Sequence, residues 1–306
     1  MQEAVKIEAV LALLIALQGC ASSATGVTSA PPSVPSVPSA PSIAEGRAAE
    51  PAVLAELADA TRVVRISEVL TVQRAAREAY VLTHDAGIVP ANILVVRMPD
   101  GTLVLCSSPY ETETTRAMLR WLRETFSPPR IVAINTHFHP DGAAGNEAYA
   151  EEGVETYASE MTQKLIEARG AEVLGMTARA VGEPLRAPME RTQIALAKHT
   201  FDAREGLSLT FGGESLEAIY PGPAHSPDNV VVHFPSRKLL FGGCMVRAAA
   251  ASIGYKGDAD IENWEAAARS LVSLAPEVVV PGHGAIGGAD LLEHTIDVAH
   301  AARTKK

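Results

Sequence analysis

The sequence predicts an α+β chain whose coarse pattern of strands and helices suits an αββα sandwich. Three observations carry that expectation. Short apolar, β-branched runs recur between residues 79 and 281. Amphipathic helical stretches are interleaved with them. Histidine, aspartate and cysteine side chains fall where several of these runs end, as expected when loops on a rigid scaffold carry a reactive centre.

Along the chain, the apolar run AVLALLIAL at 9–17 is too short to span a bilayer but suits the core of a signal peptide. It leads into LQGC, similar to the lipobox of bacterial lipoproteins, in which Cys20 accepts the lipid. Gln18, and the acids Glu3 and Glu8 around Lys6, depart from the usual pattern. The alternative is secretion after cleavage near Ala24, and either route leads to the periplasm. Residues 21–51 are dominated by Pro, Ser and Ala and read as a linker that stays extended and uncored. Residues 52–306 then form one domain, long enough to enclose a full hydrophobic interior.

Within that domain, strands are expected at 79–84, 91–98, 102–106, 131–136, 216–220, 229–234, 238–242 and 277–281. Helix 111–126 places Met118, Leu122 and Phe126 at four-residue steps, an apolar face for a sheet. The loop HDAGIVPAN at 84–92 is short, so a flap built from it is small. An Ala-rich helical insertion lies between Ser159 and Lys198. Asp290 and Glu293 stand at capping-box spacing and open the closing helix.

Six side chains of metal-ligand type sit in four patches: His137, His139 and Asp141 in THFHPDGAAGN, His225 in PGPAHSPDN, Cys244 in LLFGGCM, and His283 in VVPGHG. The run IVAINTH reads as a buried strand, after which Pro140 and Gly142 break the extended chain and Asp141 comes off the turn. Two residues apart in extended backbone, His137 and His139 point to one side. LEAIYPG, RKLLFGG and PEVVVPG precede the other three ligands in the same way. Imidazole, thiolate and carboxylate suit zinc, and a catalytic zinc needs only three protein ligands. Six ligands therefore divide into two open sites. Taken singly, the histidines read as ordinary surface residues and Cys244 as a small core residue. The joint pattern carries the metal reading, while His84, His199, His233, His294 and His300 lack such company and read as structural or solvated.

These patches, in this order and spacing, resemble the class B (metallo) β-lactamases of the subclass with a cysteine at the second zinc. The resemblance runs from about Ala79 to the C-terminus and is greatest to the São Paulo type, through SSPYE at 107–111, INTHFHPDG, PGPAHSPDNVVV, LLFGGCM and PGHG. It implies the metallo-β-lactamase fold and two Zn2+ ions, one held by His137, His139 and His225 and the other by Asp141, Cys244 and His283. It further implies attack by a zinc-bound hydroxide on the β-lactam amide of penicillins, cephalosporins and carbapenems, with Asp141 orienting the nucleophile, and hence antibiotic resistance. Arg247 would grip the substrate carboxylate, Tyr255 would stand where many relatives have a carbonyl-polarising asparagine, and Ser107 would stand in for an aspartate behind the ligands. The Ala-rich insertion would overhang the groove. Relatives acting on other substrates carry a histidine after the motif aspartate and a bridging aspartate in place of the cysteine; here these positions are Gly142 and Cys244. No Ser-x-x-Lys nucleophile motif is evident.

Two rival functions are a metallohydrolase acting on a thioester, lactone or phosphodiester, and a zinc-binding periplasmic protein without catalysis. Net charge is −10, with 26 basic against 36 acidic residues and no basic cluster, which argues against nucleic acid as a partner. The expected partners are the small-molecule β-lactam and a bacterial membrane reached through the lipid on Cys20, with the chain a monomer. Of three cysteines, Cys106 in TLVLCSS reads as a packed core residue.

Overall fold

The apolar runs form strands buried on both faces, and their alternation sorts side chains into separate cores. The computed structural model describes residues 52–182 and 185–304. The expected signal segment, the linker and Cys20 lie outside the described residues. Among the described residues the first sheet comprises β1 (Val63–Arg65), β2 (Leu70–Ala76), β3 (Ala79–His84), β4 (Ala91–Arg97), β5 (Leu103–Cys106), β6 (Ile131–Ile134), β7 (Glu155–Ser159) and β8 (His199–Phe201). Their spatial order follows the chain, antiparallel from β1 to β5 and parallel from β5 to β8. The second sheet has the order β13 (Val278–Pro281), β12 (Leu239–Gly243), β11 (Val231–Phe234), β10 (Glu214–Ile219) and β9 (Leu207–Phe211), with only the β12–β13 pair parallel. This is the metallo-β-lactamase fold, two mixed sheets flanked by helices.

Period-two alternation explains the layering. Val81, Leu94, Val104 and Ile134 point between the sheets and meet Leu216, Val232, Phe241 and Val280. Their neighbours Leu82, Ile93, Leu105 and Ala133 point the other way, onto α2 (Thr112–Phe126). That helix buries Met118, Leu119, Leu122 and Phe126, each worth roughly 1.5–3 kcal/mol of transfer free energy when fully buried. Glu111 caps it, its carboxylate accepting from the Glu113 and Thr114 N–H groups. On the far side, α7 (Ile261–Ser270) and α8 (Asp290–Thr304) cover the second sheet through Trp264, Ala267, Leu291 and Ala299. Cys106 is fully buried in the inter-sheet core and is a free thiol, as expected.

Two expectations are corrected and one is refined. The described chain carries five strands that were not anticipated, β1, β2, β7, β8 and β9, all short or part-exposed, so that burial does not print a clear apolar run on them. The capping box at Asp290 does not form. The Leu292 and Glu293 N–H groups bond to Ala289 O, so Asp290 already lies inside the first turn, where its Oδ1 accepts from Gly288 N–H at 3.0 Å. The turn from which Asp141 was expected to come is a one-turn helix, α3 (Pro140–Ala143), because Pro140 presets a helical φ at its first position.

Candidate metal centre

All six predicted ligands converge at one edge of the sandwich, each delivered by a loop that follows a strand. β6 ends at Ile134, and the next three residues run to His137 with Val230 N–H bonding to Thr136 O at 2.7 Å. His139 precedes α3 in extended conformation, so its ring turns back toward His137, with centroids 4.8 Å apart. His139 Nδ1 lies 3.1 Å from His225 Nε2. A tetrahedral zinc with bonds of about 2.0–2.1 Å needs nitrogen pairs roughly 3.3 Å apart. His137 Nε2 and His225 Nδ1 are buried and have no hydrogen-bond partner. Nε2 of His137 is turned toward Asp141 Oδ1 at 3.5 Å, a buried unpartnered donor atom that suits a cation.

The second donor set is tighter. Asp141 Oδ2 stands 2.9 Å from Cys244 Sγ and 3.3 Å from His283 Nε2, and Cys244 Sγ is 3.3 Å from His283 Nε2. Donor atoms of Asp141, Cys244 and His283 lie within 4.8 Å of one another, as do those of His137, His225 and Cys244, so the two sets adjoin through the thiol. The donor chemistry and these separations fit two zinc sites. Without a cation, burial pushes the Cys244 thiol well up, helped by the Asp141 carboxylate, and Sγ–H donates to Asp141 Oδ2. Burial would raise Asp141 too, but the His137 and His283 imidazoles outweigh it and hold the carboxyl well below its usual range. Burial also pushes His139 down to about 4 and His225 well below the ordinary imidazole value, so both stay neutral and able to ligate.

Outer contacts fix the tautomers. His283 Nδ1–H donates to Pro90 O at 3.0 Å, leaving Nε2 for the metal. Asn92 donates from Nδ2 to Pro281 O at 2.9 Å and to Gly284 O at 2.8 Å, tying the His283 loop to β4. His139 Nε2–H donates to Asp258 Oδ2 at 2.9 Å, which leaves Nδ1 free to ligate. Ser107, at φ 73°, places Oγ 2.6 Å from Thr136 Oγ1, which lies 3.3 Å from His137 Nδ1. Ser107 thus reaches His137 only by way of Thr136. Asn92, Asp258 and Thr136 were not anticipated. Asp258 stood in IGYKGDAD beside the flagged Tyr255, but only the fold shows that this loop returns to His139.

Two glycines make room for the centre. A Cβ on Gly142 would lie 2.3 Å from His137 O and 2.5 Å from its Nδ1. A Cβ on Gly282 would lie 2.6 Å from Cys244 N and 2.7 Å from its Sγ. A side chain straight after Asp141 therefore has no space.

Above the ligands runs a groove of about 400 Å³ with the metal donors in its floor. Ile88 and Val89, from the short β3–β4 loop, form one wall, and Val173 and Met176 of α5 (Glu160–Ala180) the other, so the helical insertion overhangs the site. Arg247 lines the groove, with Nε donating to Ser252 O at 2.8 Å and Nη1 to Cys244 O at 3.5 Å. Tyr255 stands at the lip, 46% exposed, its ring 5.8 Å from His139. His84 is buried and structural, its Nδ1 accepting from Tyr110 N–H at 3.1 Å.

A fold of this kind with two adjoining histidine, aspartate and cysteine clusters defines a metal-dependent hydrolase scaffold. Residues 86–283 match the Metallo-beta-lactamase superfamily, and the chain belongs to that family. It is 30% identical over 213 residues to a metallo-beta-lactamase type 2 of Bacillus sp. (strain 170), covering 69% of this chain and 73% of that one. It is 28% identical over 245 residues to a metallo-beta-lactamase type 2 of Bacteroides fragilis, covering 78% and 88%. The solved structure of DIM-1 metallo-beta-lactamase exposed to ceftazidime superposes with a TM-score of 0.64 at 29% identity, covering 77% of this chain and all of that one.

Proposed function

We propose that the protein is a zinc-dependent β-lactamase of the cysteine-containing di-zinc subclass, most similar to the São Paulo type, that opens the amide of penicillins, cephalosporins and carbapenems. The observation that carries this reading is Cys244 closing a three-donor cluster with Asp141 and His283 beside a glycine, Gly142, that admits no further ligand. A bridging carboxylate and an additional histidine, which other hydrolases of this scaffold would need, have no place here.

His137, His139 and His225 would hold one zinc, and Asp141, Cys244 and His283 the other. When bound, zinc supplies Lewis acidity and brings the proton loss of solvent near neutral pH. The chain's own groups do the rest. Asp141 would orient the attacking water, whose proton is released to solvent; as the C–O bond forms the C–N bond breaks, and the lactam nitrogen takes a proton from solvent. The Arg247 guanidinium anchors the carboxylate beside the lactam ring. Val89 and Met176 offer apolar walls to the rest of the substrate. The signal-like run and Cys20 support a periplasmic, lipid-anchored enzyme, and Cys20→Ala should release it from membranes.

Zinc-loaded protein should hydrolyse a chromogenic cephalosporin, lose that activity to a chelator and regain it with zinc. Turnover of a thioester or phosphodiester, with no β-lactam opened, would overturn the reading.

A further inference from the structure

His139 is held by more than its own loop. Its Nε2–H donates to Asp258 Oδ2 at 2.9 Å, and the Asp258 side chain is only 5% exposed. The other oxygen, Oδ1, accepts from Nη1 of Arg169 in a close ion pair. Arg169 projects from α5, the helix that roofs the groove. Its guanidinium is fixed from two further directions. Nε and Nη2 pair with Glu172 at 3.1 and 3.2 Å, and Cζ lies 5.3 Å from the centroid of Phe138, the buried ring between His137 and His139.

We infer that Arg169 is a positioning residue: through Asp258 it sets the tautomer of His139 and couples the roof helix to the histidine zinc site. This rests on the metal-centre reading above.

The physical argument is one of orientation. Asp258 comes from a loop that bears no strand or helix of its own between Arg247 and α7, and the tyrosine hydroxyl beside it, on Tyr255, reaches Oδ2 only at 3.4 Å. Without a second anchor that carboxylate is free to turn away from His139, and the imidazole then keeps only the weak intrinsic bias of a free histidine toward Nε2–H, so that both neutral tautomers are populated. With Nε2–H fixed on Asp258, the Nδ1 lone pair faces His225 Nε2, the geometry a shared cation requires. A guanidinium fork suits this task because it bonds Asp258 and Glu172 at once while its plane rests on Phe138. The same contact holds α5, and hence Val173 and Met176, at a fixed height over the floor.

The test uses the full chain and begins without metal, so that its failure is separable from failure of the hydrolase reading. Long-range 1H–15N correlation spectra of metal-free protein should show His139 as a single Nε2–H tautomer. In Arg169→Ala the two tautomers should mix. Cobalt binding at the histidine site should weaken about 10- to 100-fold, the usual cost of losing an outer-shell partner. The thiolate charge-transfer band of the Cys244 site should keep its affinity and intensity. Arg169→Met, which retains the apolar stem over Phe138, should behave like Arg169→Ala and serves if that variant does not fold. Arg169→Lys should restore the single tautomer in part. A single Nε2–H tautomer and unchanged cobalt affinity in a folded Arg169→Ala or Arg169→Met protein would overturn the inference, as would equal weakening of both metal sites.

Discussion

Gly142→Ala adds one methyl group, and the structure says where it goes. The new Cβ would stand 2.3 Å from the carbonyl oxygen of His137 and 2.5 Å from its Nδ1. Unstrained carbon contacts lie at about 3.5 Å, so roughly 1 Å of movement must be found. The backbone of Gly142 is already helical, so the substitution introduces no conformational penalty of its own. All of the strain falls on His137. Its carbonyl cannot rotate away, because the neighbouring Thr136 carbonyl is fixed by Val230 N–H at 2.7 Å and Asn135 donates to Gly142 O at 3.2 Å. Overpacking of this kind costs about 1–3 kcal/mol. A ligand ring displaced by roughly an ångström should also lose about two orders of magnitude in catalysis. The assay pairs a competitive zinc titration with melting and with cephalosporin turnover. We expect a weakened histidine site, a lower melting temperature and turnover reduced about 100-fold. Wild-type zinc affinity with wild-type turnover would refute the claim that the space beside Asp141 is closed.

Other consequences are as direct. Asn92→Ala strips donors from the carbonyls of Pro281 and Gly284; it should cost roughly 2–4 kcal/mol of stability and weaken metal binding at the Cys244 site more than at the histidine site, read by melting and cobalt spectra. Arg247→Ala should raise KM about tenfold or more while kcat falls less, and an unchanged KM would remove its assigned role. Burial pushes His84 from 6.5 down to about 4, so the unfolded chain binds its proton first as the medium acidifies. Its contribution to stability is therefore complete above about pH 6.5 and is lost as pH falls toward 4, about 3 kcal/mol in all. His84→Asn should flatten the stability–pH curve across that window in denaturant titrations at constant metal content; an unaltered slope would show that His84 is not the group responsible.

The outline of the fold was legible because doubly buried strands such as β4 and β6 are continuous apolar runs, and because α2 repeats Met118, Leu122 and Phe126 on one face. The six candidate ligands stood out in the sequence because metal chemistry restricts residue type, and the fold brings them together. Strands β8 and β9 were not legible, since their exposed positions remove the apolar signal. Nor were Asn92 and Asp258, which are ordinary polar residues made important by contacts across 189 and 119 positions of chain. The turn that carries Asp141 was legible as a break in the strand but not as a one-turn helix, for Pro140 reads equally as a strand breaker and as a helix start.

The central claim is a pair of zinc ions between these six side chains. Anomalous diffraction at the zinc edge from crystals grown with zinc tests it without reference to turnover. The account predicts two peaks about 3.5–4 Å apart, one bonded to His137, His139 and His225 and the other to Asp141, Cys244 and His283. A lone peak, or any pair of peaks outside this cluster, would contradict it.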